Sequence, residues 1–300
     1  MQHFLSIESL DAATLLRLLD DAAWLKAHRR DATVKPLAGR TWALIFTKSS
    51  TRTRVSFEVG VHELGGHAMF FSGNDLQLGR GEPIRDTARV MGRMVDGAII
   101  RNDSQADLEE FAAFSGIPTI NALTELEHPC QVLADLLTIK ERLPDWRRSR
   151  VCFLGDGDCN MARSWIWAAA HLGFELVIAA PGDFQPPAEL VRSAGSGGIT
   201  VTEDARAAVA GCDVLYTDVW VSMGREAESA RRLEILQPYQ INRGLVEASG
   251  KTPLVMHCLP AYREKEITGD VLEANAGLIF EQAENRLHAQ KAVLRAVVGG

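Results

Sequence analysis

A chain of 300 residues with 46% apolar composition has enough material for two hydrophobic cores or one large one. Its net charge of −7, with both signs mixed along the chain, argues against a nucleic-acid-binding protein. No apolar run approaches the ~18–20 residues that cross a bilayer, and the five cysteines are odd in number and never spaced C-x-x-C, which argues against a disulfide framework or a structural zinc site.

The opening MQHFLSIESLDAATLL carries acids inside its first apolar region and no small-residue cleavage pattern, so no secretory leader is expected. With the cysteine usage, this points to a soluble cytoplasmic protein. In the first half, β-rich runs at 41–46, 67–71, 97–100 and 118–121 alternate with helical patterns near 51–64, 84–94 and 105–114. Such alternation predicts an α/β fold with parallel strands. The segment PCQVLADLLTIKERL (129–143) reads as a helix with Pro129 in its first turn, and the polar PDWRRSR after it suggests a domain boundary near 140–150. Further strands are expected at 151–154, 175–180, 213–217, 253–257 and 277–280. Helices are expected at 161–172, 187–194, 203–210, 239–248 and 284–298. No period of 20–50 residues marks a solenoid. The expected architecture is two doubly wound domains, each a mostly parallel sheet flanked by helices. They span 1–140 and 150–283, with 284–300 packing back on the first.

Ligands of open parallel sheets bind beyond the carboxyl ends of the strands, and that is where the reactive residues fall. SSTRTR follows the strand at 41–46. Its plain reading is a helix N-cap with solvated arginines. Hydroxyls and backbone N–H groups at a helix start also favour an anion, however, and Arg52 and Arg54 oppose the helix dipole unless an anion compensates. Guanidinium groups bind phosphate or carboxylate bidentately. An oxyanion is the better reading, though no Walker G-x-x-x-x-G-K pattern is present. Arg101 ends the strand at 97–100. HPCQ (128–131) is either a simple helix start or a His128–Gln131 pair able to polarise a carbonyl oxygen.

GDGDCN (155–160) follows a strand but has Asn160 where a dinucleotide fingerprint needs its third glycine, so no nicotinamide cofactor is expected. DVWVSMG (218–224) and HCLP (257–260) bring Asp218, Ser222 and Cys258 to strand ends. A buried cysteine is usually inert packing, and a Cys258–His257 dyad is disfavoured because neighbours on a strand point to opposite faces.

STRTR, HPCQ, D-x-x-x-SMG and HCLP together resemble the aspartate/ornithine carbamoyltransferase family. The likeness extends over LGRGEPIRDTARV (78–90) and FEQAENRLHAQKAVL (280–294). SMG with HCLP favours ornithine as acceptor over aspartate. The resemblance implies transfer of the carbamoyl group of carbamoyl phosphate to the δ-amine of L-ornithine, giving L-citrulline and phosphate within arginine metabolism. It implies no cofactor and no metal. It also implies a homotrimer in which a neighbour lends the loop containing Gln77. Carbamoyl phosphate would contact Ser50, Thr51, Arg52, Thr53, Gln77, Arg101, His128, Gln131 and Arg286. Cys258 and Leu259 would line the reacting centre, and Asn160, Asp218, Ser222 and Met223 would hold ornithine. Catalytic roles would fall to Cys258, His128, Arg101 and Arg52. Thr47, Cys159 and Arg163 depart from the usual family pattern. Aspartate, putrescine or an acylated ornithine as acceptor, and a non-catalytic binding module on the same fold, are the competing readings.

Overall fold

The computed structural model describes residues 1–31, 33–73, 81–195, 197–221 and 228–299. Two compact units divide the chain. One comprises Met1–Leu137 with Glu284–Gly300, and the other Thr138–Ala283.

In the first unit, α1 (Ala12–Ala27) is followed by β1 (Thr41–Phe46), α2 (Thr51–Glu63), β2 (His67–Ser72), α3 (Ile84–Met91), β3 (Gly97–Arg101), α4 (Gln105–Ser115) and β4 (Thr119–Leu123). Among the described residues the strands form one parallel sheet in the order β2-β1-β3-β4. Every residue of β3, and all of β1 after Thr41, is buried. These strands therefore read as continuous apolar runs, as expected when helices cover both faces. Ala43, Ile45, Ala98 and Ile100 pack against Leu108, Phe111 and Ile117 on one side. The strand order reverses between β1 and β3, so a crevice opens where β1 ends in SSTRTR and β3 in Arg101.

The chain continues through α5 (Pro129–Arg142) into the second unit. There β5 (Arg150–Leu154), α6 (Asn160–Leu172), β6 (Glu175–Ala179), α7 (Ala188–Ser193), β7 (Ile199–Thr202), α8 (Ala205–Val209) and β8 (Val214–Thr217) precede α9 (Ser229–Leu236), α10 (Arg243–Ala248), β9 (Leu254–His257) and α11 (Gly269–Ala274). The described strands form a parallel sheet in the order β7-β6-β5-β8-β9. Its order reverses between β5 and β8, which end at GDGDCN and at Asp218. The last element, α12 (Ala276–Val298), returns the chain to the first unit.

The doubly wound α/β class is as expected from the alternating pattern. One strand is not. GLIF (277–280) lies inside α12, where Leu278 N and Ile279 N donate to Asn275 O at 3.1 and 3.0 Å. Four apolar residues fit either state, and the helical spacing that follows them decides. The sequence reading also passed over α1, whose start Asp11 caps by accepting from Thr14 N at 2.7 Å, together with β7, α9 and α11.

Candidate active site

Ser50 caps α2, and its hydroxyl accepts from Thr53 N at 3.4 Å. Thr51 is exposed and Arg52 half-buried at the first turn. The two arginines of STRTR have different fates. Arg54 pairs with Glu58 of α2 at 2.9 Å and lies 3.7 Å over the Phe70 ring of β2, so local contacts engage it.

Thr53 is fully buried, and its hydroxyl accepts from Arg286 Nη2. Arg286 Nη1 donates to Gln131 Oε1 at 2.6 Å, and Gln131 Nε2 donates to Asp135 Oδ1 at 2.8 Å. A buried chain of hydrogen bonds thus runs from α5 through α12 to the start of α2. Asp135, one helical turn beyond Gln131, is the member that the sequence reading missed. A polar pair at i and i+4 was its only signal.

Arg101 sits beside Phe46 in the sheet register and is buried. Its Nε has no hydrogen-bond partner among the described residues. Burial, then the nearby charges of Arg286 and Arg52, lowers its pKa to about 10, with Asp103 acting in the opposite direction. His128, also buried, is held well below its ordinary value of 6.5 by burial and then by Arg286 and Arg101. The imidazole is neutral at pH 7 and can donate a hydrogen bond without adding charge. Arg286 and Arg52 both set like charge against Arg101 near the start of α2, an arrangement that an anion would relieve. Gln77 lies outside the described residues.

In the second unit, Gly155 follows β5 at φ +116°, and a Cβ there would lie 2.7 Å from Trp220 Nε1. The glycine therefore admits the indole of the segment after β8, a role unrelated to a pyrophosphate. Asp156 forms an ion pair with buried Arg232 of α9, whose Nε donates to Trp220 O at 2.5 Å. Two of the unusual residues are absorbed locally. Cys159 caps α6, its sulfur accepting weakly from Ala162 N at 3.5 Å, and Arg163 pairs with Asp158 at 2.7 Å. Asn160 is half-buried as the first residue of α6.

Asp218 follows β8. Its Oδ1 accepts from Val219 N at 2.7 Å and from Cys258 Sγ at 2.8 Å. Burial pushes the Asp218 carboxyl up, an effect that the Cys258 hydrogen bond only partly offsets. A carboxylate in this state gains from an incoming ammonium.

His257 does not face the thiol. Its Nδ1 accepts from Leu259 N at 2.8 Å, which leaves the proton on Nε2, 3.1 Å from Glu266 Oε1. Glu266 Oε1 also accepts from Tyr262 N at 2.5 Å. This clamp holds the HCLP turn, in which Leu259 has φ 58° and Leu259–Pro260 is cis, with Cys258 directed to Asp218. Glu266 gave no local signal in the sequence. Ser222 and Met223 lie outside the described residues.

The two parallel sheets thus end in different chemistry, one in a cluster of arginines beside a neutral histidine, the other in a buried acid–thiol pair. The chain matches the model for the carbamoyl-P binding domain of aspartate/ornithine carbamoyltransferases over residues 2–141, and that for their Asp/Orn binding domain over 147–297. An ornithine carbamoyltransferase of Akkermansia muciniphila is 56% identical over 98% of this chain and 97% of its own length. The crystal structure of the anabolic enzyme of that name from Campylobacter jejuni is 42% identical, with a TM-score of 0.92 and 99% of each chain covered. The Pyrococcus furiosus ornithine carbamoyltransferase structure superposes with a TM-score of 0.94 at 42% identity, covering 100% of this chain and 97% of its own. The chain belongs to the aspartate/ornithine carbamoyltransferase family.

Proposed function

We propose that this protein transfers the carbamoyl group of carbamoyl phosphate to the δ-amine of L-ornithine, producing L-citrulline and phosphate. The observation that carries the reading is the buried cluster of Arg101, Arg286 and His128 beside Arg52 at the start of α2. Guanidinium groups whose charges oppose one another beside a neutral imidazole suit a phosphate bearing an adjacent carbonyl.

In this reading residues 1–140 bind carbamoyl phosphate. Ser50, Thr51, Arg52 and Gln77 hold the phosphate. Thr53, Arg101 and His128 face the carbonyl oxygen, with Gln131 and Arg286 completing the contacts. Residues 150–283 bind ornithine through Asn160, Asp218, Ser222 and Met223. Cys258 and Leu259 lie at the reacting carbon.

The amine attacks the carbonyl carbon, negative charge develops on the carbonyl oxygen, and phosphate departs. Donors fixed at that oxygen before reaction lower the barrier because they need no reorganisation. The acceptor poses the harder problem. An alkyl ammonium with a pKa near 10.4 is only about 0.04% neutral at pH 7, a penalty of roughly 4–5 kcal/mol. Asp218 grips the α-ammonium, with the Cys258 thiol held against it. Proximity of the two bound substrates supplies much of the rest.

A homotrimer with the Gln77 loop lent by a neighbour, a cytoplasmic location and a role in arginine biosynthesis belong to the same proposal. Colorimetric measurement of citrulline from ornithine and carbamoyl phosphate tests the activity. Aspartate or putrescine accepted in place of ornithine would overturn the choice of substrate. Sedimentation at assay concentration tests the trimer.

A further inference from the structure

The first eight residues precede any helix, yet side chains from the active-site end of the sheet hold them firmly. Phe4 N donates to Thr119 O at 2.9 Å, and Asn121 N donates to Phe4 O at 2.7 Å, adding a short parallel bridge beside β4. Asn121 Nδ2 donates to Leu5 O at 2.7 Å. The buried carboxylate of Glu127 then takes both following amides, Ile7 N at 2.8 Å on Oε2 and Glu8 N at 3.3 Å on Oε1.

Glu127 immediately precedes His128 and ends a tight turn. Thr124 N donates to Glu127 O at 2.9 Å, while Glu127 N donates to Thr124 Oγ1 at 3.3 Å. Thr124 Oγ1 in turn donates to Gln105 Oε1 at 2.7 Å. The backbone that delivers His128 and starts α5 is therefore fixed from one side by α4 and from the other by the N-terminal segment.

We infer that Phe4–Glu8 is a working part of the carbamoyl phosphate site, and that Glu127 is a positioning residue whose carboxylate ties that segment to the His128 turn. The inference rests on the carbamoyl-transfer reading above. A carboxylate suits this position, because each of its two oxygens accepts from one of the two adjacent backbone donors. Displacing a transition-state donor by about 1 Å can cost up to 10²-fold in rate. The effect belongs in kcat, since the donors on the carbonyl oxygen matter most as charge develops there.

Glu127→Gln keeps the volume but sets an N–H donor against one of the two amides. Steady-state citrulline formation by this variant is expected to show kcat lowered about tenfold or more, with KM for ornithine within about twofold of the parent value. Glu8→Pro, at an exposed residue, removes one amide donor without touching Glu127. It is expected to lower kcat by a smaller factor, and the double variant should add little to Glu127→Gln.

Wild-type kcat in Glu127→Gln, with only the melting temperature reduced, would overturn the positioning role and leave a structural tie. Should Glu127→Gln fail to fold, Glu8→Pro decides alone, and unchanged kcat there overturns the inference. A parent enzyme that forms no citrulline fails the functional reading itself, and this is seen before any variant is compared.

Discussion

The two sheets end in opposite electrostatic problems. Beyond β1 and β3, Arg101 and Arg286 set positive charge against a buried, neutral His128, and Arg52 adds its own against Arg101. Beyond β8 and β9, a carboxylate raised by burial shares its oxygen with a thiol, and the nearby histidine is turned away to hold the backbone. A phosphate would relieve the first arrangement, and an ammonium the second. In both units, interactions that would be costly alone are held in place by neighbours that do no chemistry: Asp135 and Glu127 in one, Glu266 and Arg232 in the other.

The contrast breaks most sharply at Arg52. Arg52→Gly should lower kcat/KM for carbamoyl phosphate about 10³-fold and remove phosphate binding. Isothermal titration that finds carbamoyl phosphate bound normally to this variant would refute the anion assignment.

Arg232→Met tests the second unit's scaffold. It removes one partner of a buried ion pair and frees the Trp220 carbonyl, so a loss of about 3 kcal/mol of stability is expected in chemical denaturation. Phosphate binding should be unaffected.

Asp218→Asn should reduce kcat/KM for ornithine about 100-fold, through the lost charge-assisted contact, and leave carbamoyl phosphate affinity unchanged. Cys258→Ala should act more weakly and in the same direction, altering ornithine KM and the pH profile. Equal damage to both substrates in either variant would dissolve the division of labour.

The smallest effect is one of pH. His128 has a folded pKa below its unfolded value of 6.5, so protons favour the unfolded chain. Its contribution to stability is complete above about pH 6.5 and declines as pH falls, by up to about 1.4 kcal/mol per pH unit. Urea melts between pH 7 and 5 should show a shallower slope in His128→Asn. An unchanged slope would mean that His128 is not held neutral.

The chemical types at the strand ends were legible because strand ends are local events: SSTRTR begins three residues after Phe46, HPCQ lies five residues beyond Leu123, and HCLP begins on the last residue of β9. The partition of labour within those motifs was not. Arg52 and Arg54 are equivalent as sequence, and only the packing of Phe70 and Glu58 against α2 separates them. GLIF fits a strand as readily as a helix because four apolar residues carry no decisive period. The consequence is that Arg286 arrives on a long helix beside Gln131 and not at the end of a strand. Glu266 lies nine residues from His257 in an irregular segment, where no periodicity could have paired them.

By itself, the sequence determined the alternation of strands and helices, the family likeness and the chemical types gathered at the sheet edges, since these depend on composition and short-range pattern. Only the tertiary structure decided which arginines are buried together, which way His257 faces and what braces His128. Those outcomes depend on contacts between residues from nine to hundreds of positions apart, which no short-range pattern records.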